Sequence, residues 1–163
     1  MKCADIMTLN PKMCVPENEV AVAINIMWDY DCGSVPVVKD IESKELVGMV
    51  TDRDIAISVV KHFNTHPSQI KVSNCMAPLV FACQQDDPIE TAIELMSENL
   101  IRRIPVVDEN GCCMGIISQS DLLLNAGDIA PVVTMLQRIS TPYQKESVEI
   151  VATDKAPETD KSE

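Results

Sequence analysis

Aromatic residues are scarce in this chain: 3% of 163 positions, namely one Trp, two Tyr and two Phe. A buried core must therefore be filled by Val, Ile, Leu, Met and Cys, and the 46% apolar content is enough for one. Basic residues are also few, 13 against 25 acids. The resulting net charge of −12 argues against a nucleic-acid partner, because phosphate binding needs clustered Lys and Arg that release counterions. It disfavours an anionic membrane surface for the same reason. No apolar run approaches the roughly 20 residues that cross a bilayer, and no signal peptide opens the sequence, so the cytoplasm is the expected location. Histidine is limited to His62 and His66, and the seven cysteines contain no C-x-x-C pair, which leaves no metal-ligand spacing. No Ser-His-Asp or Cys-His arrangement is present and no histidine falls in a motif, so an enzyme is not expected and no cofactor is required. A glycine-rich phosphate loop is missing as well.

What the chain does have is a duplication. Asp5-Ile6-Met7-Thr8 is answered by Asn74-Cys75-Met76-Ala77, and Ser34-Val35-Pro36-Val37-Val38 by Arg103-Ile104-Pro105-Val106-Val107, both at an offset of 69. Gly48-Met49-Val50-Thr51-Asp52-Arg53-Asp54-Ile55 is answered by Gly115-Ile116-Ile117-Ser118-Gln119-Ser120-Asp121-Leu122 at an offset of 67. The second copy is thus two residues shorter between its Val-Val and its Gly, where a hairpin turn belongs. A repeat fixes the structural unit before any other assignment. Here it predicts two equivalent halves with a cleft between them.

Each copy has the same order of elements. In the second, Asp87, Pro88 and Glu90 form a helix-start signal, and Ile89, Ala92, Ile93, Met96 and Leu100 trace one helical face. In the first, Asn18 takes the cap position and Val20, Ala23, Ile24 and Met27 the face. Val35–Val38 and Ile104–Val107 read as short buried strands. Turns follow at 39–44 and at Asp108-Glu109-Asn110-Gly111, and Leu46–Val50 and Cys113–Ile117 return. Each return strand runs into a second helix, about Asp52–Lys61 and Gln119–Asn125. The expected organisation is a first unit at 1–61, a connection at 62–70, a second unit at 71–126, one extra helix at 127–139 and an acidic tail at 140–163. The tail holds six acids and three lysines with few apolar groups, a composition expected to be disordered.

The chemistry gathers where strand meets helix. Thr51-x-x-Asp54 and Ser118-x-x-Asp121 fit a capping box, hydroxyl to the third amide and carboxylate reaching back. The same atoms have a second use: a helix N-terminus offers amides and a positive dipole to phosphate, a hydroxyl can bond phosphate, and an aspartate can grip two ribose hydroxyls. Both uses remain open at this level.

Both copies resemble CBS motifs, the units named after cystathionine β-synthase that occur in pairs as Bateman modules. The resemblance rests on Asp5–Thr8, Val35–Val38 and Gly48–Ile55, and on Met76–Pro78, Arg102–Val107 and Gly115–Leu122, and spans about residues 1–126. It implies an α/β (α+β) fold of two β-α-β-β-α motifs paired by pseudo-twofold symmetry, in the manner of small stand-alone prokaryotic members. It also implies a regulatory ligand of the AMP, ADP or ATP class, or S-adenosylmethionine or NAD, held in the cleft. By that analogy Asp54 and Asp121 hold ribose, and Thr51, Ser118, Ser120, Arg103 and Arg53 approach phosphate. Val35, Pro36, Ile104, Pro105, Met49, Ile116, Val15 and Val80 would wall the adenine. A disc-like homodimer of four motifs is the family expectation.

The copies differ where a ligand would be chosen. Arg103 stands where the first copy has Ser34, and Ser120 where it has Arg53. A guanidinium beside Ser118, Ser120 and a helix start suits phosphate, whereas Asp52 adds negative charge at the other start. The Asp121 site is therefore expected to be the stronger. Two alternatives stand beside a nucleotide sensor: a dimerisation module without ligand, and a thiol-based redox or metal sensor using Cys112-Cys113, although most cysteines fall at apolar pattern positions.

Overall fold

The computed structural model describes residues 1–78 and 80–141; residues 142–163, most of the expected tail, lie outside the described residues. Six strands and six α-helices occur among the described residues: α1 (Cys3–Ile6), β1 (Thr8–Leu9), α2 (Val20–Asp29), β2 (Ser34–Val38), β3 (Leu46–Thr51), α3 (Asp52–Lys61), β4 (Cys83–Gln84), α4 (Ile89–Asn99), β5 (Arg103–Val107), β6 (Cys113–Ser118), α5 (Gln119–Asn125) and α6 (Ala130–Ser140). The fold is mixed α+β and repeats one unit twice.

The two hairpins have the same register. Ser34 faces Thr51 and Pro36 faces Met49 in one, while Arg103 faces Ser118 and Pro105 faces Ile116 in the other. The proline is tolerated because Met49 turns its backbone away from Pro36: its N–H donates to Ala77 O at 3.1 Å, and its C=O accepts from Ala77 N–H at 2.8 Å. A ring without N–H therefore breaks no ladder bond. Each hairpin also loses its regular register at one point, between Val37 and Val38 and between Val106 and Val107.

Ala77 belongs to the segment that opens the second copy, yet it pairs with β3 of the first. The reverse exchange also occurs, with Thr8 of β1 lying opposite Ile116 and Leu9 opposite Gly115. Each copy thus lends its opening segment to the other. Cys3 and Ile6 are buried in a core with Ile93, Met96, Ile104, Ile117 and Leu122, whereas Ile70 and Val72 join Val20, Ala23, Val35, Val37 and Ile55. No described aromatic residue enters either core.

The exchange explains the glycine in the repeated strand motif. A Cβ at Gly115 would lie 2.7 Å from Met7 Cγ and 3.0 Å from Met7 Cβ, with Sδ closer still. At Gly48 it would meet Ala77 O at 3.0 Å and Met76 Sδ at 3.1 Å. The crossing methionine of each segment occupies the space that a side chain would need.

Three details differ from the sequence reading. Helices α2 and α4 start one residue later than their expected caps. The Asn18 and Asp87 side chains instead accept from the backbone N–H groups of Val15 (2.9 Å) and Gln84 (2.7 Å), bracing the preceding turn. Ile24 is 45% exposed, because the buried stripe of α2 is only Val20, Ala23 and Met27. Leu100 falls beyond the α4 stripe: it ends the helix in a left-handed conformation at φ 54° and is exposed. The helix after the second unit spans Ala130–Ser140 and buries Val132, Met135 and Ile139 in the core that holds α4 and α5.

Gly115→Ala should destabilise the fold by about 1–3 kcal/mol, the range for overpacking a filled site. Gly48→Ala should cost less, since part of its contact is with the end of a methionine side chain. Urea denaturation of both variants checks the order; equal, negligible costs would show that the crossing methionines yield freely.

Candidate functional site

Both strand-to-helix junctions form complete capping boxes. Thr51 Oγ accepts from Asp54 N–H at 3.2 Å, and Asp54 Oδ2 accepts from Thr51 N–H at 3.1 Å and from its hydroxyl at 2.6 Å. The Ser118–Asp121 pair repeats this at 3.3, 2.8 and 2.7 Å. In each box a single carboxylate oxygen carries all of these bonds. The other, Oδ1, has no hydrogen bond among the described residues. Capping and ligand contact are therefore compatible, because they use different oxygens of one side chain.

Each box opens onto a cavity. The first cavity, of about 610 Å³, brings together Asp121, Ser118, Ser120, Ile116 and Arg103. The second, of about 640 Å³, brings together Asp54, Thr51, Arg53, Met49, Val80, Pro105 and again Arg103. Four expected wall residues line neither. Val35 and Ile104 are fully buried, their side chains packed in the two cores by strand alternation. Pro36 is buried as well, and Val15 is half-buried outside both cavities. The adenine slots expected there are corrected accordingly: an apolar wall exists in the second cavity, but it comes from Met49, Val80, Phe81, Leu100, Ile101 and Pro105.

Several lining residues have no signal in the motifs. Lys12, Tyr30 and Asp31 border the first cavity, with the Lys12 ammonium 5.6 Å from the centre of the Tyr30 ring. Arg102 borders both. The sequence marks Arg103 as a phosphate residue and as a difference from Ser34, with Arg102 beside it in the motif, but carries no sign that either reaches two cavities. Ion pairs among the described residues are confined to Lys2–Asp86, Lys39–Glu45 and Lys71–Glu17, so Arg53, Arg102 and Arg103 have no carboxylate partner there.

The balance of charge differs between the cavities. The first sets Lys12, Arg102 and Arg103 against Asp31, Asp52 and Asp121, whereas the second sets Arg53, Arg102 and Arg103 against only Asp52 and Asp54.

Four of the cysteines, Cys3, Cys14, Cys83 and Cys113, are buried, and Cys32, Cys75 and Cys112 are half-buried. Burial pushes the Cys14 thiol up to about 12 and Cys113 up to about 11, against an ordinary value of 9.0. Cys112 is also raised, by desolvation and then by the Asp108 carboxylate. No group of three or more His, Cys, Asp or Glu among the described residues is placed to hold a metal ion, and no described helix is long and apolar enough to cross a membrane.

These thiols should resist maleimide at pH 7, with mass spectrometry finding Cys14 and Cys113 unmodified in the native protein. Their protonation also links to stability. Above pH 9 the unfolded chain releases protons that the folded chain retains, so the contribution of Cys14 and Cys113 is complete below pH 9 and is lost as pH rises towards about 11–12. Urea midpoints across that range measure the loss.

A protein-family model described as CBS domain matches residues 3–61 and 72–127. The chain is 33% identical over 119 residues to the uncharacterized protein MK0525 of Methanopyrus kandleri, covering 73% of this chain and 57% of that one. It is 33% identical over 121 residues to the CBS domain-containing protein YhcV of Bacillus subtilis, covering 74% and 82%. The solved structure of CBSX2 in complex with AMP is similar at 25% identity and a TM-score of 0.63, over 76% of this chain and 93% of that one. A CBS domain pair of protein MJ0100 in complex with 5'-methylthioadenosine and S-adenosyl-L-methionine is similar at 25% identity and a TM-score of 0.65, over 75% and 96%.

Proposed function

We propose that this chain, which belongs to the CBS domain family, is a regulatory module that holds an adenosine-containing ligand between its two repeats. The observation that carries this reading is the paired arrangement of capping-box aspartates. Each aspartate lines a cavity large enough for a nucleoside and has one oxygen without a hydrogen bond among the described residues, beside arginines without carboxylate partners there. The solved CBS pairs with AMP, 5'-methylthioadenosine and S-adenosylmethionine support the ligand class.

In this reading Asp54 and Asp121 accept from ribose hydroxyls through Oδ1. Thr51, Ser118 and Ser120 stand at the helix starts, where free amides and the helix dipole favour phosphate. Met49, Val80 and Pro105 wall the base in the Asp54 cavity, and Ile116 does so in the other. The apolar wall and the excess of arginine favour the Asp54 cavity for an anionic nucleotide. The expectation of a stronger Asp121 site placed Arg103 on that side and Asp52 on the other, whereas both residues line both cavities. Binding and release, rather than chemistry, are the output. Neither cavity presents a histidine or a cysteine–histidine pair as a nucleophile and base.

A homodimer accompanies the proposal. Ile57 on α3 and Leu124 on α5 occupy equivalent repeat positions and are 44% and 80% exposed, an apolar surface with no cover among the described residues. Sedimentation velocity should find a dimer that Ile57→Glu with Leu124→Glu converts to monomer; a wild-type monomer at micromolar concentration would remove this part.

Thermal shift and calorimetry with AMP, ADP, ATP, S-adenosylmethionine and NAD test the ligand. A ligand at 100 times its dissociation constant should stabilise the fold by about 2.7 kcal/mol. Asp54→Asn and Asp121→Asn, which keep an oxygen for the cap, should weaken binding at least tenfold with little change in the unliganded midpoint. If none of the five ligands stabilises wild type, the dimerisation module without ligand becomes the better reading.

A further inference from the structure

The two cavities are not independent. Gly33, Ser34, Asp52, Arg102 and Arg103 line both. Ser34 and Arg103 are repeat equivalents that open β2 and β5, so the shared wall lies where the two copies meet. Two features mark this wall as a seat for an anion. Arg103 sits against the backbone of Gly33, where a Cβ would lie 3.6 Å from both of its terminal nitrogens, and it pairs with no carboxylate among the described residues. Ser34 is only 5% exposed, and its Oγ has no hydrogen-bond partner among the described residues. A buried hydroxyl left in this state is costly, and an incoming acceptor oxygen would recover its bond.

With Ser34 where the second copy has Arg103, one guanidinium at this repeat position serves both sides, beside Arg102 on the same wall. Asp52 lies on the same wall, its Oδ2 3.0 Å from where a Gly33 Cβ would stand. It repels any second anion that Arg103 does not neutralise.

Resting on the nucleotide reading above, we propose that the cavities share a single phosphate seat, formed by Arg103 and Ser34, so that phosphorylated adenosine ligands occupy them antagonistically while an uncharged nucleoside fills both. The first phosphate enters from the Asp54 cavity, where Arg53 adds to the seat. A second ligand in the Asp121 cavity then finds the guanidinium engaged and the wall occupied by negative charge. The protein thereby distinguishes ligands by phosphate as well as by base.

Calorimetric titration of the full chain with AMP and with adenosine tests the seat. Two adenosines per chain are expected, with one AMP bound first and a second at least tenfold more weakly, a coupling of about 1.4 kcal/mol. In protein saturated at the first AMP step, the remaining cavity should take adenosine at least tenfold more tightly than AMP. Asp54→Asn, which weakens the first cavity, should strengthen AMP binding in the Asp121 cavity at least tenfold over the wild-type second step. Two equivalent AMP sites, or an Asp121 cavity that ignores Asp54→Asn, overturn the shared seat and leave the adenosine-ligand reading intact. Adenosine binding with no AMP binding also overturns the seat alone. No binding of either probe overturns both.

Discussion

The exchange of opening segments is the contact on which the rest of the fold depends. Each hairpin is completed by a strand or bridge from the other copy, and each core by residues from across the linker. A lone unit would expose the edge of β3 or β6 and lose apolar partners such as Ile6 or Ile70. Edges of that kind are open to wrong pairing. The duplication is thus a mechanical requirement and not only a doubling of sites. It also sets the position of the cavities: the junctions that follow β3 and β6 border cavities with a common wall.

The two repeats build this scaffold almost symmetrically and then depart from it. Helix α6 packs on α4 and α5, and its last turn, Ile139 and Ser140, reaches the wall of the Asp54 cavity. No equivalent helix follows the first copy, where 3₁₀ turns at Pro67–Gln69 and Val72–Asn74 lead directly into the crossing segment. The Asp54 cavity therefore borders the C-terminal part of the described chain, while the Asp121 cavity borders the N-terminal segment through Thr8, Pro11 and Lys12.

Local pattern carried much of this into the sequence. Hairpin order, the helices after β3 and β6 and both capping boxes depend on neighbours within a few residues, and periodicity and hydroxyl–carboxylate spacing record those directly. What stayed hidden depends on longer range. Nothing in Asp5–Thr8 says which hairpin it joins, because the two hairpins present nearly the same edge. The reason for glycine at 48 and 115 was invisible until the crossing methionines were in place. Val35 and Ile104 look like wall residues beside a proline, yet strand alternation buries them, and the wall is built instead from Phe81, Leu100 and Ile101 across the cleft. Arg103 was legible as a difference between copies, but its reach into two cavities follows only from the packing of one copy against the other.

The scarcity of aromatic residues has a spectroscopic consequence. Trp28, Tyr30, Phe63 and Phe81 all stand exposed or at a cavity edge, and both cores are wholly aliphatic and sulfur-containing. The two cores therefore carry no aromatic chromophore for near-ultraviolet light. A fully ordered molecule would give a weak near-ultraviolet dichroism signal, of the kind otherwise taken as a mark of a molten globule. Optical signals from these four aromatic residues describe the surface and the cleft, and the order of the two cores must be followed through methyl resonances or amide exchange.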